Sequence, residues 1–293
     1  MVTIGMCVRN CEPFIKDAIE SVLSQDFPQE LMEIIFVDDG STDGSLSIIK
    51  DYAEKVNFPF KIFHTSWRGI GFCRNIVVKN ATGKYIVWVD GDMLIPKNFV
   101  TKLVEYMEHN SAVGVAKGKQ ALVCGANKLG TLETYSRAAS RMVDYQSKKA
   151  WFKSLGTGGS IYRVDAIREV GGFDEDLRGY GEDFDAELRL RAAGWRLSTV
   201  NVEFLDYERF NITWNMLWKR YWIRGFYTRY LLQKNRHAVI IYKMLPPVAA
   251  VAGVLHAIKL YKITRQKLVF FLPFMYFFKM AAWLTGFISN VRY

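Results

Sequence analysis

Asp90 and Asp92, two carboxylates two residues apart in Asp90-Gly91-Asp92, follow a short apolar run, Tyr85 to Val89. Past the end of a buried strand they repel each other and any diphosphate brought to them. A hard divalent cation, Mg²⁺ or Mn²⁺, resolves both conflicts by bridging carboxylate and phosphate oxygens. A solvated turn carries the same triplet, so its surroundings decide its meaning. Upstream, Asp38-Asp39-Gly40-Ser41-Thr42-Asp43-Gly44 closes a second apolar run. A carboxylate there can accept the N3–H of a uracil or the hydroxyls of a ribose. Trp67-Arg68-Gly69-Ile70-Gly71-Phe72-Cys73-Arg74-Asn75 adds two arginines suited to phosphate or base contacts. Its glycines permit close backbone approach. Its Gly-x-Gly lacks the third glycine of a dinucleotide fingerprint and opens the third crossover, not the first.

Such groups need elements that bring strand ends to one edge. The first 110 residues alternate strand and helix. Thr3 to Val8 reads as a short buried strand. Ile15, Ala18, Ile19, Val22 and Leu23 recur at i, i+3, i+4, i+7 and i+8, one apolar helix face. Glu33 to Val37 is a second strand, apolar enough to be covered on both faces. Asp38-Asp39-Gly40-Ser41 breaks it, Ser41 or Thr42 caps the next helix, and Leu46, Ile49 and Tyr52 continue that helix. Lys61 to His64 is a third strand, Gly71 to Asn80 a helix, and Tyr85 to Val89 a fourth strand. Pro96 suits the first turn of a helix carrying Phe99, Leu103 and Met107. The expected class is α/β, a doubly wound, mostly parallel sheet, with ligands beyond the carboxyl ends of its strands.

Residues 111–205 are less regular. Gly156-Thr157-Gly158-Gly159-Ser160 reads as a loop before a short strand, Ile161-Tyr162. Gly171-Gly172-Phe173-Asp174 is another turn. Glu182 to Ala193 has helical spacing, with Phe184 and Leu188 on one face and Asp185 and Glu187 read as solvated.

Taken in order, Val37-Asp38-Asp39-Gly40-Ser41-Thr42-Asp43, Arg74-Asn75, Val89-Asp90-Gly91-Asp92, Gly171-Gly172-Phe173-Asp174-Glu175 and Gly181-Glu182-Asp183-Phe184-Asp185 resemble the GT-A fold of the family 2 glycosyltransferases over about residues 1–205. The resemblance implies inverting transfer of one sugar from a nucleotide diphosphate sugar. It implies that Asp39 contacts the base, Asp90 the ribose and Asp92 the metal, with Asp90 as a second metal contact. Val8, Arg9, Asn10 and Glu12 would line the nucleotide pocket with Arg74 and Asn75, and Asp38, Arg68 and Gly91 would complete the donor set. Gly158, Gly159 and Ser160 resemble the loop that cradles donor sugar and acceptor. Glu182-Asp183 matches the family's Glu-Asp motif, whose Asp is the general base. An acceptor hydroxyl is a poor nucleophile at neutral pH, so a carboxylate must take its proton as the bond forms. One departure stands out. Many relatives place a His after this helix, whereas Asn201 to Arg209 holds none. Asp206 or Glu208 is an alternative oxygen ligand there, and Arg209, Lys219 and Arg220 are alternative phosphate partners.

Charge divides the chain. The net charge is +10, yet residues 209–293 carry fourteen Lys and Arg and no Asp or Glu, which leaves −4 on residues 1–208. The expected domains are therefore 1–208, catalytic, and 209–293, a basic and aromatic tail. Trp214, Leu217, Trp218, Tyr221 and Trp222 recur at helical spacing beside Lys219, Arg220, Arg224 and Arg229, as in a helix at a bilayer headgroup region. Ala238 to Ile258 and Leu268 to Val291 approach spanning length, but Lys243 and Lys279 interrupt them. Pro246-Pro247 and Pro273 weaken straight spans. Lys259, Lys262, Arg265 and Lys267 between the runs oppose a far-side loop. In-plane or re-entrant helices on the cytoplasmic face of a membrane are expected, with two transmembrane helices as the alternative. The apolar runs have no use in nucleic-acid binding, and no such partner is expected.

Four cysteines (Cys7, Cys11, Cys73 and Cys124) show no paired spacing and read as free buried thiols. The four histidines form no metal-ligand spacing. Met1 to Met6 enters a strand at once, so no signal peptide is expected. The expectation is a metal-dependent transferase moving a sugar from a UDP-sugar, with a GDP-sugar as the alternative donor, to a hydroxyl of a membrane-linked glycan or lipid. Two alternatives are a polyprenyl-phosphate sugar synthase, whose anionic acceptor needs no base, and a non-catalytic nucleotide-sugar-binding scaffold.

Overall fold

The computed structural model describes residues 1–138, 143, 145, 150–151, 153–206, 211–234 and 241–290. The composition break at 208/209, with Glu208 and Arg209, lies outside them. In chain order the elements are β1 (Val2–Val8), α1 (Glu12–Leu23), β2 (Met32–Asp39), α2 (Ser45–Ala53), β3 (Phe60–Thr65), α3 (Ile70–Asn80) and β4 (Tyr85–Trp88). Then come β5 (Met93–Leu94), α4 (Phe99–His109), β6 (Val113–Gln120), α5 (Lys128–Ala138), β7 (Ser160–Arg163), α6 (Val164–Glu169), α7 (Glu182–Ala192) and β8 (Arg196–Asp206). The last three helices are α8 (Trp214–Lys234), α9 (Pro246–Thr264) and α10 (Leu272–Ser289). The chain forms two compact units: Met1–Lys119 with Asp144–Arg178 and Glu182–Tyr207, and Gln120–Val143 with Gly179–Gly181 and Glu208–Tyr293.

The first unit is built on an eight-stranded sheet in the order β3-β2-β1-β4-β7-β6-β8-β5. β1 pairs in parallel with β2 and β4, and β2 with β3, while β7 runs antiparallel to both β4 and β6. All eight residues of β2 are buried, as expected for a strand covered on both faces. Val2, Ile4, Met6 and Val8 of β1 share one core with Ile15, Ala18, Ile19 and Val22 of α1 and with Phe99, Leu103 and Met107 of α4. Glu33 is the one acid within the buried stretch before the site. Thr3 Oγ1 and the Thr82 N–H each donate to its carboxylate at 2.6 Å, and Lys61 Nζ donates at 2.9 Å. Burial pushes its pKa up, but these donors win and hold it below the usual range.

Several local expectations shift. β2 continues through Asp38 and Asp39, paired with His64 and Thr65 of β3, instead of breaking there. Ser41 and Thr42 cap no helix; both bond to Asn10, and the Asp43 carboxylate accepts the Ser45 N–H at the start of α2. Pro96 precedes α4 by three residues, its carbonyl accepting the Phe99 N–H. The irregular middle contains β6 and β8, two eight- and eleven-residue strands. Cys124 is exposed; only Cys73 of the four free thiols is fully buried.

The second unit is helical. Leu129 and Leu132 of α5 share a core with Leu217, Leu260, Leu272 and Met275. The prolines begin helices rather than breaking them, because Pro246 and Pro247 stand in the first turn of α9 and Pro273 in that of α10. Lys243 is exposed outside α9. Lys279 is buried, ion-paired with Glu133 of α5 and 3.0 Å from Ser136 Oγ. That partner answers the cost of a cation inside an apolar run. Among the described residues one stretch, Lys267–Ser289, is long and apolar enough to cross a membrane. α8 and α10 cross at two glycines: a Cβ on Gly225 would strike the Trp283 carbonyl, and one on Gly286 the Trp222 carbonyl. Gly225→Ala should lower the stability of this unit by about 1–3 kcal/mol, the range for overpacking. Chemical denaturation followed by Trp fluorescence measures this, and an unchanged midpoint would contradict the close crossing.

Candidate active site

β1, β2 and β4 are parallel, so Val8, Asp39 and Trp88 emerge at one sheet edge. β6 ends at the same edge, because it reverses direction twice relative to β4 through β7, and Lys117 stands opposite Ser160. The carboxylates selected by the sequence collect there.

Arg74 of α3 is the centre of the cluster. Its guanidinium is buried and ion-paired with Glu182 at the start of α7. Trp88 and Phe173 lie 5.9 and 5.6 Å from it. Burial pulls its pKa down, but the charges of Glu182, Asp183 and Asp90 win and push it up. The arginine expected to meet a donor phosphate is thus paired with a protein carboxylate. Burial first, then the Asp183 charge, pushes Glu182 up to about 7 against the pull of Arg74.

Asp90 and Asp92 flank Gly91 just past β4, both half-buried. A Cβ on Gly158 would fall on the Asp90 carboxylate, and one on Gly91 would meet Cys11 Sγ and Val8 Cγ1 at 3.0 Å. Only glycine at 158 lets the loop before β7 lie against Asp90. Gly159 has φ +75 and faces the Phe204 ring, and Ser160 Oγ donates to the Thr157 carbonyl. Met93 pairs with Asp206, so the end of β8 stands beside Asp92. No group of three or more His, Cys, Asp or Glu collects into a closed metal cage among the described residues. A Mg²⁺ or Mn²⁺ ion held by one or two carboxylates plus substrate phosphates needs no such cage. The Asp90–Asp92 turn fits that demand.

The remaining residues divide between scaffold and pocket. Asn10, at φ +52, accepts the Thr42 N–H through Oδ1 at 2.8 Å, and Glu12 accepts the Gly44 N–H at 2.8 Å. They clasp the β1–α1 turn to the β2–α2 turn. Asn75 is spent on the Gly171–Glu175 turn, donating to the Phe173 carbonyl and Glu175 and accepting the Phe173 N–H. Asp39 accepts the Arg68 N–H at 2.7 Å and the Gly69 N–H at 3.0 Å, one on each oxygen. Asp38 contacts His64 Nδ1 at 2.7 Å through Oδ2, while its buried Oδ1 has no hydrogen-bond partner among the described residues. Arg68 lies over Phe72, and exposed Trp67 has Arg9 and Arg178 over its ring at 5.3 and 6.0 Å.

Asp183 Oδ1 accepts the Phe184 N–H at 2.7 Å. Its Oδ2 would lie 3.3 Å from a Cβ on Gly156. Two residues missed by sequence reasoning hold that loop. Glu187, expected in solvent, is buried and accepts the Leu155 and Gly156 N–H groups at 2.9 and 2.8 Å. Lys117 Nζ donates to the carbonyls of the same two residues at 2.7 and 3.2 Å. Asp185 is likewise tied down, by Arg189 at 2.7 Å. The signal for Glu187 was its i,i+4 spacing from Asp183, which places both on one helix face.

The comparisons with known proteins bear on this arrangement. The family described as Glycosyl transferase family 2 matches residues 3–171. The chain belongs to glycosyl transferase family 2. The matched segment contains Asp38, Asp39, Arg74, Asp90, Asp92 and the 156–160 loop, and ends before Glu182. Within this family, poly(ribitol-phosphate) beta-N-acetylglucosaminyltransferase TarS of Staphylococcus aureus (strain MW2) is 35% identical over 161 residues, 55% of this chain and 27% of TarS. Poly-beta-1,6-N-acetyl-D-glucosamine synthase of Staphylococcus epidermidis is 25% identical over 222 residues, 72% of this chain and 51% of the synthase. The chain thus spans about half or less of the length of these relatives. Mannosyltransferase PcManGT from Pyrobaculum calidifontis, solved with GDP-Man and Mn²⁺, superposes with a TM-score of 0.68 at 19% identity, covering 99% of this chain and 87% of that one. S. aureus TarS 1-349 with UDP-GlcNAc gives 0.56 at 17% identity, covering 98% and 90%. At these identities the likeness is one of fold, and the fold is GT-A.

A pH dependence follows from the strap around Asp183. Burial, then the Asp183 charge, pushes Glu187 up to about 7 against its backbone donors. A carboxyl raised above its unfolded value of 4.5 holds a proton in the folded state that the unfolded state has lost. Stability therefore falls as pH rises from about 4.5 to 7 and levels off above, by at most about 1.4 kcal/mol per pH unit for each such group. Glu187→Gln should flatten this slope, leaving the part due to Glu182. Melting temperatures from pH 5 to 8 test it; an equal slope in the variant would show that Glu187 does not titrate there.

Proposed function

We propose that this chain is an inverting glycosyltransferase that moves one sugar from a nucleotide diphosphate sugar to a hydroxyl of a membrane-linked glycan or lipid. The observation that carries the reading is the loop before β7, where a Cβ on Gly158 would fall on the Asp90 carboxylate and one on Gly156 would lie 3.3 Å from Asp183 Oδ2. Donor-side and acceptor-side carboxylates thus belong to one site. The donors in the neighbouring structures, UDP-GlcNAc and GDP-Man, support a nucleotide diphosphate sugar. The names of the relatives, a transferase acting on poly(ribitol-phosphate) and a poly-beta-1,6-N-acetyl-D-glucosamine synthase, support a polymeric acceptor.

In this reading Asp92, with Asp90, would hold a Mg²⁺ or Mn²⁺ ion, and Asp206, paired in register with Met93, would be a further oxygen ligand. When bound, such an ion would neutralise charge on the departing nucleoside diphosphate. Asp38, with one buried oxygen unmatched, and Trp67, an exposed ring between two arginines, are suited to the nucleoside. Asp183 takes the proton of the acceptor hydroxyl as its oxygen bonds to the sugar and the sugar–phosphate bond breaks on the opposite face. Glu182 and Arg74 fix the start of α7, and Glu187 and Lys117 fix the loop that faces Asp183. Purified full-length protein in detergent, screened against UDP- and GDP-sugars with Mg²⁺ or Mn²⁺, tests the reaction. Asp92→Ala or excess EDTA should abolish donor binding and turnover. Asp183→Asn should lose about 10²-fold or more in transfer with donor affinity nearly unchanged. Full activity in EDTA, or a collapse of donor affinity in Asp183→Asn, would overturn these roles.

The tail supports a membrane site on the cytoplasmic face, where nucleotide sugars are found. Val248, Val251, Leu255 and Ile258 recur along one exposed side of α9, and Phe270, Phe271, Phe274 and Phe277 are exposed at the start of α10. Exposed Lys259, Lys262, Arg265 and Lys267 lie between them, as at an anionic headgroup layer. In-plane or re-entrant helices keep these cations on the cytoplasmic side. A single cysteine at Lys262 in a Cys-free variant should react with impermeant maleimide only from the cytoplasmic side of sealed vesicles. Labelling from the other side alone would establish a spanning hairpin.

A further inference from the structure

Trp151 is 41% exposed, in a turn that the Lys153 N–H closes on the Ala150 carbonyl at 2.9 Å. We propose that its indole is a platform for one sugar ring of an oligosaccharide acceptor, a ring beyond the one that carries the reacting hydroxyl. The inference rests on the transferase reading, because it takes Asp183 as the place where that hydroxyl reacts.

One exposed indole needs no function to explain it; the tether of this one gives it a direction. Asp183, Glu187 and Arg191 stand at i, i+4 and i+8 of α7 and so form a single stripe on that helix. The stripe follows one segment of chain. Asp183 Oδ2 faces Gly156, 3.3 Å from where a Cβ would stand. Glu187 accepts the Leu155 and Gly156 N–H groups at 2.9 and 2.8 Å. Arg191, buried, donates to the Lys153 carbonyl at 3.2 Å and the Tyr145 carbonyl at 3.4 Å. Its guanidinium lies over the Trp151 ring, 5.9 Å from the centroid. The Tyr145 hydroxyl donates to the Ser154 carbonyl at 3.3 Å. Lys153 to Gly156 thus run along α7 against its direction, and the indole is fixed at the end of this strap remote from the base.

The length of the strap selects which part of the acceptor arrives there. From Asp183 to Arg191 the helix rises about 12 Å, more than one pyranose ring spans. A ring on Trp151 is therefore a different ring from the one whose hydroxyl meets Asp183. The surface suits a sugar. A pyranose carries its hydroxyls around its rim and C–H groups on its faces. Those C–H groups are apolar, and their slight positive charge is attracted to the negative face of an indole. Arg191 covers one face of the ring, so the exposure of Trp151 belongs to the other face and the edges. The same cation settles the plane of the indole before any ligand comes, which lowers the ordering cost of binding. Exposed Lys153, two residues along, supplies a donor for hydroxyls at the rim. A phosphate offers no apolar face to such a platform, and a lipid tail needs a wider apolar surface than one indole.

The test uses the full chain in detergent. Binding of UDP and GDP with Mg²⁺ is measured first. The probes are then two sugars, N-acetylglucosamine and mannose, each as its methyl glycoside and as linear oligomers of increasing length, followed by calorimetry and saturation-transfer NMR. Oligomers of at least one series should bind more tightly than their methyl glycoside. Trp151→Ala should weaken those oligomers by about three- to tenfold, the scale of one aromatic contact. Binding of the methyl glycosides and of nucleotide should not change. Trp151→Tyr should keep most of the affinity, whereas Trp151→Leu, apolar but without a flat ring, should behave as the alanine variant does. If Trp151→Ala melts early, Trp151→Leu carries the test with the same expectation. No gain with length in either series, an equal loss for methyl glycosides and oligomers, or unchanged oligomer binding in the variants would each overturn the proposal. Loss of binding to phosphatidylcholine–phosphatidylglycerol vesicles in Trp151→Ala would overturn it too, by making the indole a membrane contact. Failure of the wild type to bind any nucleotide would instead strike the transferase reading, and the length series would still report on Trp151.

Discussion

Arg74 places a full positive charge where water does not reach, and the geometry of the acidic edge follows from that placement. Glu182 and Asp183 are adjacent carboxylates, and Asp90 arrives from another strand; gathered without a cation they would repel one another and protonate. The guanidinium remains charged at every accessible pH, so it can hold Glu182 as a partner while Asp183, half-buried, keeps an oxygen directed to the loop. Trp88 and Phe173 close the other sides of the ion pair and keep the effective dielectric low. Losing one partner of such a pair costs far more than exchanging both for apolar groups. Arg74 is therefore a fixed element of the scaffold from which α7 is aimed.

A second constraint acts on the 155–160 loop. It has to lie against Asp90 on one side and Asp183 on the other, and side chains would hold it away. Glycine at 156 and 158 removes that obstacle, and φ +75 at Gly156 and Gly159 bends the chain as only glycine readily does. Glycines also leave a loop free to wander, at an entropic cost on folding. Glu187 and Lys117 offset that freedom from below, the acid taking two N–H groups and the base two carbonyls of the same two residues. The strap is made of ionisable groups, each bonded twice to the backbone of Leu155 and Gly156.

This division explains what could be read from the sequence. The parallel half of the sheet was legible because continuous apolar runs such as Ile34 to Val37 admit few other structures, and because each ends in turn residues. The acidic turns were legible because their composition is costly anywhere but at a strand end. The partners were not. Glu187 looks like a solvated helix residue until β6 and the loop cover it, and Arg74 looks like a phosphate ligand until Glu182, 108 residues later, is seen to face it. β6 and β8 escaped notice because Val113 to Gln120 mixes Gly and Lys with its apolar residues, and a strand so weakly marked is defined by its neighbours. The prolines of α9 and α10 misled for the opposite reason: their local rule was applied to the middle of a helix when they stand at its start.

The partition of charge along the chain suits the two proposed demands, which one surface would meet poorly. A site that is to hold a divalent ion and a nucleotide diphosphate needs carboxylates that no lysine has already neutralised, and cations there would compete with the ion. A surface proposed to meet anionic headgroups needs an excess of cations over carboxylates. Mixing the two sets would pair them with each other, at a gain of about 1 kcal/mol or less per exposed pair, and both sites would lose their charge. The chain keeps them apart in sequence, −4 on residues 1–208 and +14 on residues 209–293. Among the described residues of the helical unit, Glu133 is buried and is matched to the buried Lys279 within the same core.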